Sequence, residues 1–569
     1  MSAMENALVQ QKEAEQKYFW KDPDKKYFCI LLGFAVVVYF PLISQKLTNT
    51  MDGLWTNTFY VANVWEVSIG RWLWPLADVL RFGVQTDPIN SLLTLSLITL
   101  SFIMIRKLFA EKDSLLTYLL GMGFVASASV SVQLSYRFMS PIFGLALLLS
   151  AAAAYCVIRT ENNIKAVAFG TVLLAMSLGL YQANLGCFCL ILLAYFLLLL
   201  FQKVDSKLVH MHIARSLCSA AAGMILYYLI LKLVLLVTGL QMSEYNGAAE
   251  VSALNILKRL PEGIARAYQV FGVYFFQNQY RNNILQAVGF FAVIVLLIGL
   301  GLLRRFWLVI RSRNWEYVLL SAAALIALPA ACNAMLLITS ETLWHLQMAG
   351  AMDLFIPLCV LLLNSFGGVR SENQKKSKLV RGVVIVLAGL IVYGNVYMRA
   401  IDQEAMSEGR KSLTVMADRI ADDLIDFGYF DEEEQLPVVF VGRPSSNPTF
   451  LMREYYLYAN TYAQMGRFWN SADVGRQVWK SVFQNITPIH FTYGGTDRYQ
   501  EVYAESETEQ MPLYPREGYI RRIGNVVVVK VSDDYKGEAG DSEEETPLSG
   551  LFTLGQVDNS FYEKRQSKE

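Results

Sequence analysis

A single carboxylate, Asp52, follows directly on the first long apolar run of the chain. The next stretch, "TFYVANVWEVSIGRWLWPL" (58–76), is rich in aromatic residues and carries one acid, Glu66, and one base, Arg71. A carboxylate fixed at the end of an apolar helix is suited to take a proton from a hydroxyl group, so Asp52 is the candidate general base. Its alternative role is to cap a following helix.

Four cations have the chemistry to hold a phosphate group. The forked guanidinium of arginine matches phosphate oxygens, which makes Arg71 in "IGRW", Arg137 in "SYRFM" and Arg281 in "QYRNN" candidate ligands. Lys232 interrupts the apolar run "YYLILKLVLLVTGL", and a cation inside such a run indicates function by default. For each of the four, the alternative is that the side chain reaches out to lipid headgroups.

Three further polar residues are suited to contact a sugar. Glu66 could orient the hydroxyl groups of an acceptor, bind a metal ion or pair with an arginine. Tyr181 and Gln182 form a polar elbow, "GLYQAN", between two apolar runs. This elbow suits sugar contact and equally suits a simple turn. At the ends of two later runs, three other residues could line the same cavity: Glu341, His345 and Asp353.

The remaining sequence signals exclude several classes of protein. The net charge is zero, so nothing indicates attraction to nucleic acid. The "DPD" at 22–24 and the "HMH" at 210–212 are too small to indicate a metal site, and the sequence has no nucleotide-binding loop. All seven cysteines lie in the apolar part of the chain, which argues against a disulfide framework.

Long apolar runs decide the class of the protein. The chain has 569 residues, of which 54% are hydrophobic and 17% are charged. A helix that crosses a bilayer needs about 20 apolar residues and pairs its own backbone groups, so the runs predict a polytopic α-helical membrane protein. We predict eleven spans, at 27–44, 88–108, 114–132, 138–158, 164–181, 183–201, 215–238, 283–303, 316–338, 346–364 and 379–398.

The distribution of basic residues predicts the orientation of these spans. One set of alternate connections, which includes the N-terminus, carries 22 Lys and Arg residues, and the other set carries 8. Because positive charge marks the cytoplasmic side, residues 1–26 are expected inside and the segment 399–569 outside. The first run is expected to act as an uncleaved signal anchor. Asp52 would then face outward.

Three long segments are expected on the outer side. The loops 45–87 and 239–282 show apolar residues at helical spacing and predict amphipathic helices at the membrane surface, or simple interfacial padding. The tail 399–569 reads as a small α/β extracytoplasmic domain, with a helix at 399–428, helices at 449–464 and 470–484, and strands at 438–442 and 525–531. The spanning part, 27–398, therefore lies between a cytoplasmic N-terminus and an outer domain.

A pocket at headgroup level with one carboxylate suits transfer of a sugar from a polyprenyl phosphate. The reaction needs a base for the acceptor hydroxyl and cations for the departing phosphate. A direct, inverting displacement needs one carboxylate only, whereas double displacement needs two. The residue types thus favour an inverting transfer with Asp52 as the base.

Several motifs resemble those of the Gtr type II glucosyl transferases, which belong to the GT-C fold class. They are an Asp after the first span, "GRW" in the first outer loop, "DPINSLLTLSLITLSFIMIRKLF" and "LAMSLGLYQANLGCFCLILL". The resemblance covers residues 28–400. It implies a bacterial enzyme of the cytoplasmic membrane that moves a glucosyl-type residue from undecaprenyl phosphate onto a cell-surface glycan, on the outer side of the membrane.

The resemblance also implies site residues and partners. Asp52 is the expected base, and Arg71 with the Tyr181–Gln182 pair are expected site residues of undefined role. A small flippase is the expected supplier of the donor, and the tail is a candidate site for the acceptor glycan. Family members often carry a second acid beside the loop aspartate, but here the neighbour is Gly53. This difference argues against a metal-dependent or two-carboxylate site at that point, and whether the enzyme needs a divalent cation is left open by the sequence.

Two other functions compete with this interpretation. A lipid-linked polysaccharide polymerase or ligase would also have many spans and a large outer loop, but it would depend on outer arginines rather than on a loop aspartate. A transporter or flippase would show paired broken helices and charges at mid-membrane. Beyond Lys232, the sequence shows neither of these.

Overall fold

The computed structural model describes twelve stretches of the chain. They are residues 22–48, 60–84, 86–109, 114–243, 253–276, 292–339, 344–366, 374–429, 435–450, 472–487, 491–533 and 535.

The described residues are mainly helical. In chain order, the α-helices are α1 (Asp22–Val38), α2 (Phe40–Ser44), α3 (Val64–Ser68), α4 (Trp74–Leu80), α5 (Ile89–Leu108), α6 (Leu115–Val125), α7 (Ala128–Ser135), α8 (Ser140–Arg159), α9 (Asn163–Leu180), α10 (Leu185–Gln202), α11 (Ser206–Thr238), α12 (Ala253–Phe276), α13 (Ala292–Arg311), α14 (Trp315–Cys332), α15 (Gly350–Asn364), α16 (Gln374–Asp426), α17 (Ala472–Ile486), α18 (Thr496–Ala504) and α19 (Ser506–Gln510).

Apolar helices form the larger part of the fold. Within the described residues, nine helical segments are long and apolar enough to cross a membrane, and the bent pair α6–α7 would make a tenth. The predicted span 27–44 corresponds to α1 and α2, which are separated at Tyr39. The structure is therefore consistent with the predicted helical membrane protein, while the number of eleven spans stays a prediction.

The longest helix joins two predicted elements. The span predicted at 379–398 and the helix predicted at 399–428 form one continuous helix of 53 residues, α16. Its first half packs against α6 and α1. Its second half buries Leu413, Ile420 and Leu424 against the residues that follow. One helix thus connects the apolar bundle to the tail.

The tail contains a small mixed sheet with β1 (Val438–Val441), β2 (Ile520–Ile523) and β3 (Val526–Lys530) in the order β1-β3-β2. Strands β1 and β3 run parallel, and β2 and β3 run antiparallel. Alternate residues of β1 point to opposite faces. Phe440 packs with Trp479 of α17, and Val439 packs with Tyr499 of α18. The predicted strands 438–442 and 525–531 are present, the helix predicted at 470–484 corresponds to α17, and the helix predicted at 449–464 lies outside the described residues.

Some helices approach each other closely at a glycine, and Gly186 of α10 is one such position. A side-chain carbon at Gly186 would lie 2.7 Å from the Cys332 carbonyl oxygen, whereas nothing lies within 4 Å of the same position at Gly389 in α16. We expect Gly186→Ala to lower the free energy of unfolding by about 1–3 kcal/mol, because backbone must shift to admit the methyl group. Gly389→Ala is the matched control and should be neutral or stabilising.

Thermal unfolding of the two variants in one detergent measures this difference. Equal melting temperatures for Gly186→Ala and Gly389→Ala would contradict the tight contact between α10 and α14.

Candidate functional site

The segment 60–84, called the first loop here, folds around two short helices, α3 and α4. Asn63 caps α3, and its backbone N–H donates to the Glu66 carboxylate at 2.8 Å, which completes a capping box. The Tyr60 hydroxyl donates to the other carboxylate oxygen of Glu66. Glu66 is 2% exposed. Its carboxylate therefore holds the start of α3, and a role in binding substrate stays a prediction.

The polar elbow after α9 holds the first loop in place. The Gln182 side-chain amide donates to the Ile69 carbonyl at 2.9 Å, and the Tyr227 hydroxyl of α11 donates to the Gly70 carbonyl at 3.1 Å. Gln182 and Tyr227 also contact each other at 3.2 Å. The backbone N–H of Leu73 donates to the carbonyl of Gly179 in α9, at 2.9 Å. The elbow is thus a scaffold for the loop.

Glycine is required at position 70 for two reasons. Its φ of +89° is a conformation that residues with a side chain rarely adopt. A side-chain carbon there would also meet the Tyr227 hydroxyl and would lie 2.8 Å from the Gln182 amide nitrogen. The glycine of "GRW" thereby turns the chain so that Arg71 and Trp72 approach the elbow.

Arg71 lies between the first loop and the elbow. Its guanidinium carbon is 5.3 Å from the ring centre of Tyr181 and 5.5 Å from that of Trp74. No ion pair of Arg71 occurs among the described residues, and its buried Nε atom has no hydrogen-bond acceptor there. Tyr181 is itself held by an edge contact with Phe143 at 4.7 Å. The structure therefore places the Arg71 cation beside two aromatic rings, and its predicted contact with a substrate stays a prediction.

Arg137 is engaged in a buried ion pair. Its Nε lies 3.0 Å from a carboxylate oxygen of Asp87, and both side chains are nearly inaccessible. The other oxygen of Asp87 accepts the Ser91 hydroxyl at 2.6 Å and the Ser91 N–H at 3.2 Å. Within the protein Asp87 already balances the charge of Arg137, so its predicted contact with a substrate stays a prediction.

Lys232 lies elsewhere on α11. Its side chain is exposed, and its ammonium is 5.4 Å from the ring centre of Tyr228. The structure does not bring Lys232 together with Arg71 through any contact of the described residues. Its predicted role in binding stays a prediction.

Asp52, the predicted base, lies outside the described residues, as do Arg281 and Glu341. The described residues on either side of 49–59 contact the end of α7 and the turn that follows it. The Thr48 hydroxyl donates to the carbonyl of Ser135, the last residue of α7, at 2.8 Å. The Tyr60 ring packs edge-on against Phe138, in the following turn, at 4.9 Å. Residues 48 and 60 are thus both held near the same end of α7.

Asp78 is a second buried acid of the first loop, which the sequence reasoning missed. Its carboxylate pairs with Arg81 at 2.7 Å and accepts the Ala62 N–H at 2.8 Å. Burial raises the pKa of Asp78, and the Arg81 guanidinium and the Ala62 N–H act against that rise. Arg81 also donates to the Phe138 carbonyl. This pair ties α4 to the turn that flanks Arg137.

Asp353 of α15, another acid candidate, contacts the bend between α6 and α7. Its carboxylate accepts the Ser129 N–H at 3.0 Å and the Tyr274 hydroxyl. It lines a cavity of about 30 Å³ together with Ser127 and Asn395, which is room for about one or two water molecules. In the part of the chain that the structure describes, no cluster of three or more His, Cys, Asp or Glu side chains is placed to hold a metal ion.

Comparisons with known proteins agree with these motifs. The profile of the family described as "Glucosyl transferase GtrII" matches residues 55–355, more than half of the chain. A relative from Salmonella phage P22, described as an uncharacterized 55.3 kDa protein in the gtrB 5' region, is 24% identical over 258 residues. That alignment covers 44% of this chain and 50% of the relative, so the chain spans about half the length of the curated relative it matches. No solved structure matches this chain.

The family match covers the first loop, the elbow and α11, and therefore all the site candidates except Asp52, which precedes it. It also ends before α16 and the tail. The chain therefore belongs to the GtrII glucosyl transferase family, as its motifs indicated.

Proposed function

We propose that this protein transfers a hexosyl group, glucose, from a polyprenyl-phosphate carrier to a cell-surface glycan on the outer side of the bacterial cytoplasmic membrane. The observation that carries the proposal is the Arg71 guanidinium, which lies beside Tyr181 and Trp74 without a carboxylate partner among the described residues. The family match supports glycosyl transfer in general.

A phosphate group suits the surroundings of Arg71. An arginine enclosed by aromatic rings is weakly hydrated and gains most from an anion that takes two parallel N–H bonds. The charge of Arg137, in contrast, is already balanced by Asp87. Arg71 is therefore the cation of this region best placed to bind the phosphate of a donor and to stabilise the charge that develops as that phosphate leaves.

The surface of the first loop favours a donor carried on lipid. Large apolar side chains on the loop are exposed although Arg71 lies beside them. They are Val64, Trp65, Leu76, Val79, Leu80 and Phe82. Exposed large apolar side chains on one segment suit contact with lipid, and amphipathic helices lie at the headgroup level. A polyprenyl phosphate would place its chain in lipid and its phosphate at that level.

The transfer itself is a single displacement. The acceptor hydroxyl gives its proton to Asp52, and its oxygen forms a bond to the anomeric carbon of the donor sugar. The bond from that carbon to the phosphate oxygen breaks, and the polyprenyl phosphate leaves with its added negative charge against Arg71. One carboxylate is sufficient for this inverting course. Asp52 follows Thr48 by four residues, and Thr48 is held to the turn after α7.

The side of the membrane on which the reaction takes place follows from the predicted topology. With the N-terminus inside and the tail outside, the first loop and the elbow lie on the outer side. A sugar made from a cytoplasmic nucleotide must then cross the membrane on its lipid, which would require a small flippase as a partner. The tail, joined to the bundle by the continuous helix α16, is the candidate platform for the acceptor glycan.

Replacing the base tests the chemistry. We expect Asp52→Asn to lower kcat for glucose transfer from undecaprenyl-phosphate glucose by about 100-fold or more, because general-base catalysis contributes about 10²–10⁴-fold. The measurement is donor consumption by purified protein in nanodiscs with surface-glycan extract, at matched amounts of folded protein. Full activity of Asp52→Asn would exclude this base. A wild type that consumes no lipid-linked sugar would favour the polymerase or transporter.

Replacing the two arginines should separate binding from folding. We expect Arg71→Gln to raise the donor KM about tenfold or more with an unchanged melting temperature, because it removes a charge-assisted contact to phosphate. Arg137→Gln should instead destabilise the protein by about 3 kcal/mol, because it leaves the Asp87 carboxylate buried and unpaired.

The double variant Arg137→Gln/Asp87→Asn should recover part of that stability, since neither charge remains. An unchanged donor KM in Arg71→Gln would contradict the role of Arg71 in donor binding. Normal folding with lost turnover in Arg137→Gln would contradict the structural role of Arg137. Both melting temperatures and steady-state kinetics are needed for each variant.

A further inference from the structure

We propose that Gln403 of α16 is a positioning residue for the transfer: it holds the end of the first predicted span, from which the chain runs to Asp52. This inference rests on the proposed function, because Asp52 is its base. Gln403 lies outside the residues matched by the family and 351 positions after Asp52. Its contacts with the first span are specific and can be tested separately from activity.

The first predicted span is broken where Pro41 enters it. A proline has no N–H, and its ring displaces the carbonyl four residues before it. Helix α1 accordingly ends at Val38, and α2 begins at Phe40. In an uninterrupted helix the Leu42 N–H would donate to the Val38 carbonyl. The break separates this donor from this acceptor.

The Gln403 amide fills the gap between them. The Leu42 N–H donates to Gln403 Oε1 at 2.9 Å, and Gln403 Nε2 donates to the Val38 carbonyl at 2.9 Å. Gln403 is 1% exposed. In apolar surroundings, an unpaired backbone group is strongly unfavourable, so this one side chain stabilises the interrupted form of the span. Both ends of a side-chain amide are needed, one to accept and one to donate.

The same face of α16 continues to hold the chain beyond the break. Ser407 donates to the Gln45 side chain at 2.6 Å, and Arg410 donates to the Gln45 carbonyl at 2.9 Å. Positions 403, 407 and 410 follow the helical spacing of four and then three residues, so they lie on one face of α16. Four residues before Asp52, Thr48 is tied to Ser135. The last turns of the span are therefore fixed by α16 and α7 together.

Base placement and donor binding consequently depend on different elements. Arg71 is held beside Tyr181 and Trp74, neither of which lies on α16. A shift of about 1 Å at a catalytic group can lower a rate by about 100-fold. Loss of the Gln403 clamp should therefore affect kcat and leave the donor KM nearly unchanged. A purely structural role would instead reduce the amount of folded protein.

The test compares three variants of the full chain in nanodiscs. Gln403→Leu removes both hydrogen bonds, and we expect its kcat per folded molecule to fall about 10- to 100-fold with the donor KM within about twofold. Gln403→Glu keeps the acceptor for the Leu42 N–H and should recover part of kcat. Asn395→Leu is the matched control, because Asn395 also lies on α16 but donates to Gly123 of α6, at 3.0 Å. Its kcat should stay within about threefold of wild type.

Hydrogen exchange of the peptide 39–48 gives a readout that needs no substrate. We expect faster exchange in Gln403→Leu than in wild type or Asn395→Leu, because the Leu42 N–H loses its acceptor. Unchanged exchange, or unchanged kcat per folded molecule despite faster exchange, would overturn the positioning role. A wild type that never consumes the donor would contradict the proposed function and the positioning role with it, whereas the exchange result would still report on the clamp.

Discussion

A helix that breaks inside an apolar bundle leaves backbone N–H and C=O groups without partners, and the arrangement of this bundle depends on side chains that supply them. Gln403 does so at the break between α1 and α2. Asp353 does so at the bend before α7, where it accepts the Ser129 N–H. At the elbow before α10, the Ser150 hydroxyl donates to the Asn184 carbonyl. Each side chain comes from a different helix than the one it completes, so the breaks lock the helices together.

The candidate site is assembled at these breaks. The elbow supplies Tyr181 and Gln182, which hold the first loop so that Arg71 lies against aromatic rings. The broken first span, clamped by α16, carries the chain toward Asp52. Irregular backbone in an apolar bundle requires polar side chains as hydrogen-bond partners. Polar side chains are also the groups that bind substrates and transfer protons within a membrane. The same residues can thus serve the fold and the reaction.

Helix α16 contacts both the apolar bundle and the tail. It clamps the first span through Gln403 and then, without interruption, packs Leu413 and Ile420 against the sheet of the tail. Between its first half and its second half the composition changes from apolar to charged. The sequence pattern therefore suggested a boundary at residue 398, although helical spacing of apolar residues continues across it. The composition of a helix depends on its surroundings, whereas the spacing of its apolar residues shows how far the helix continues.

Much of the bundle was predictable because apolar runs of sufficient length have few alternatives to helix. Glu66 was also open to a better prediction, since "NVWE" has the Asn and Glu spacing of a capping box. The partner of Arg137 was not, because Asp87 lies 50 residues away and no local pattern joins them. The same holds for Tyr227, which sits in an apolar run. Long-range pairing of polar groups is decided by packing, and a single sequence does not display it.

The most direct test of the account is an experimental structure of the full chain in nanodiscs with undecaprenyl phosphate bound. We expect the phosphate to lie against the Arg71 guanidinium, next to the rings of Tyr181 and Trp74. The polyprenyl chain should then lie along the exposed apolar side chains of the first loop. A phosphate bound elsewhere, such as in the cavity beside Asp353, with Arg71 left unoccupied, would contradict it.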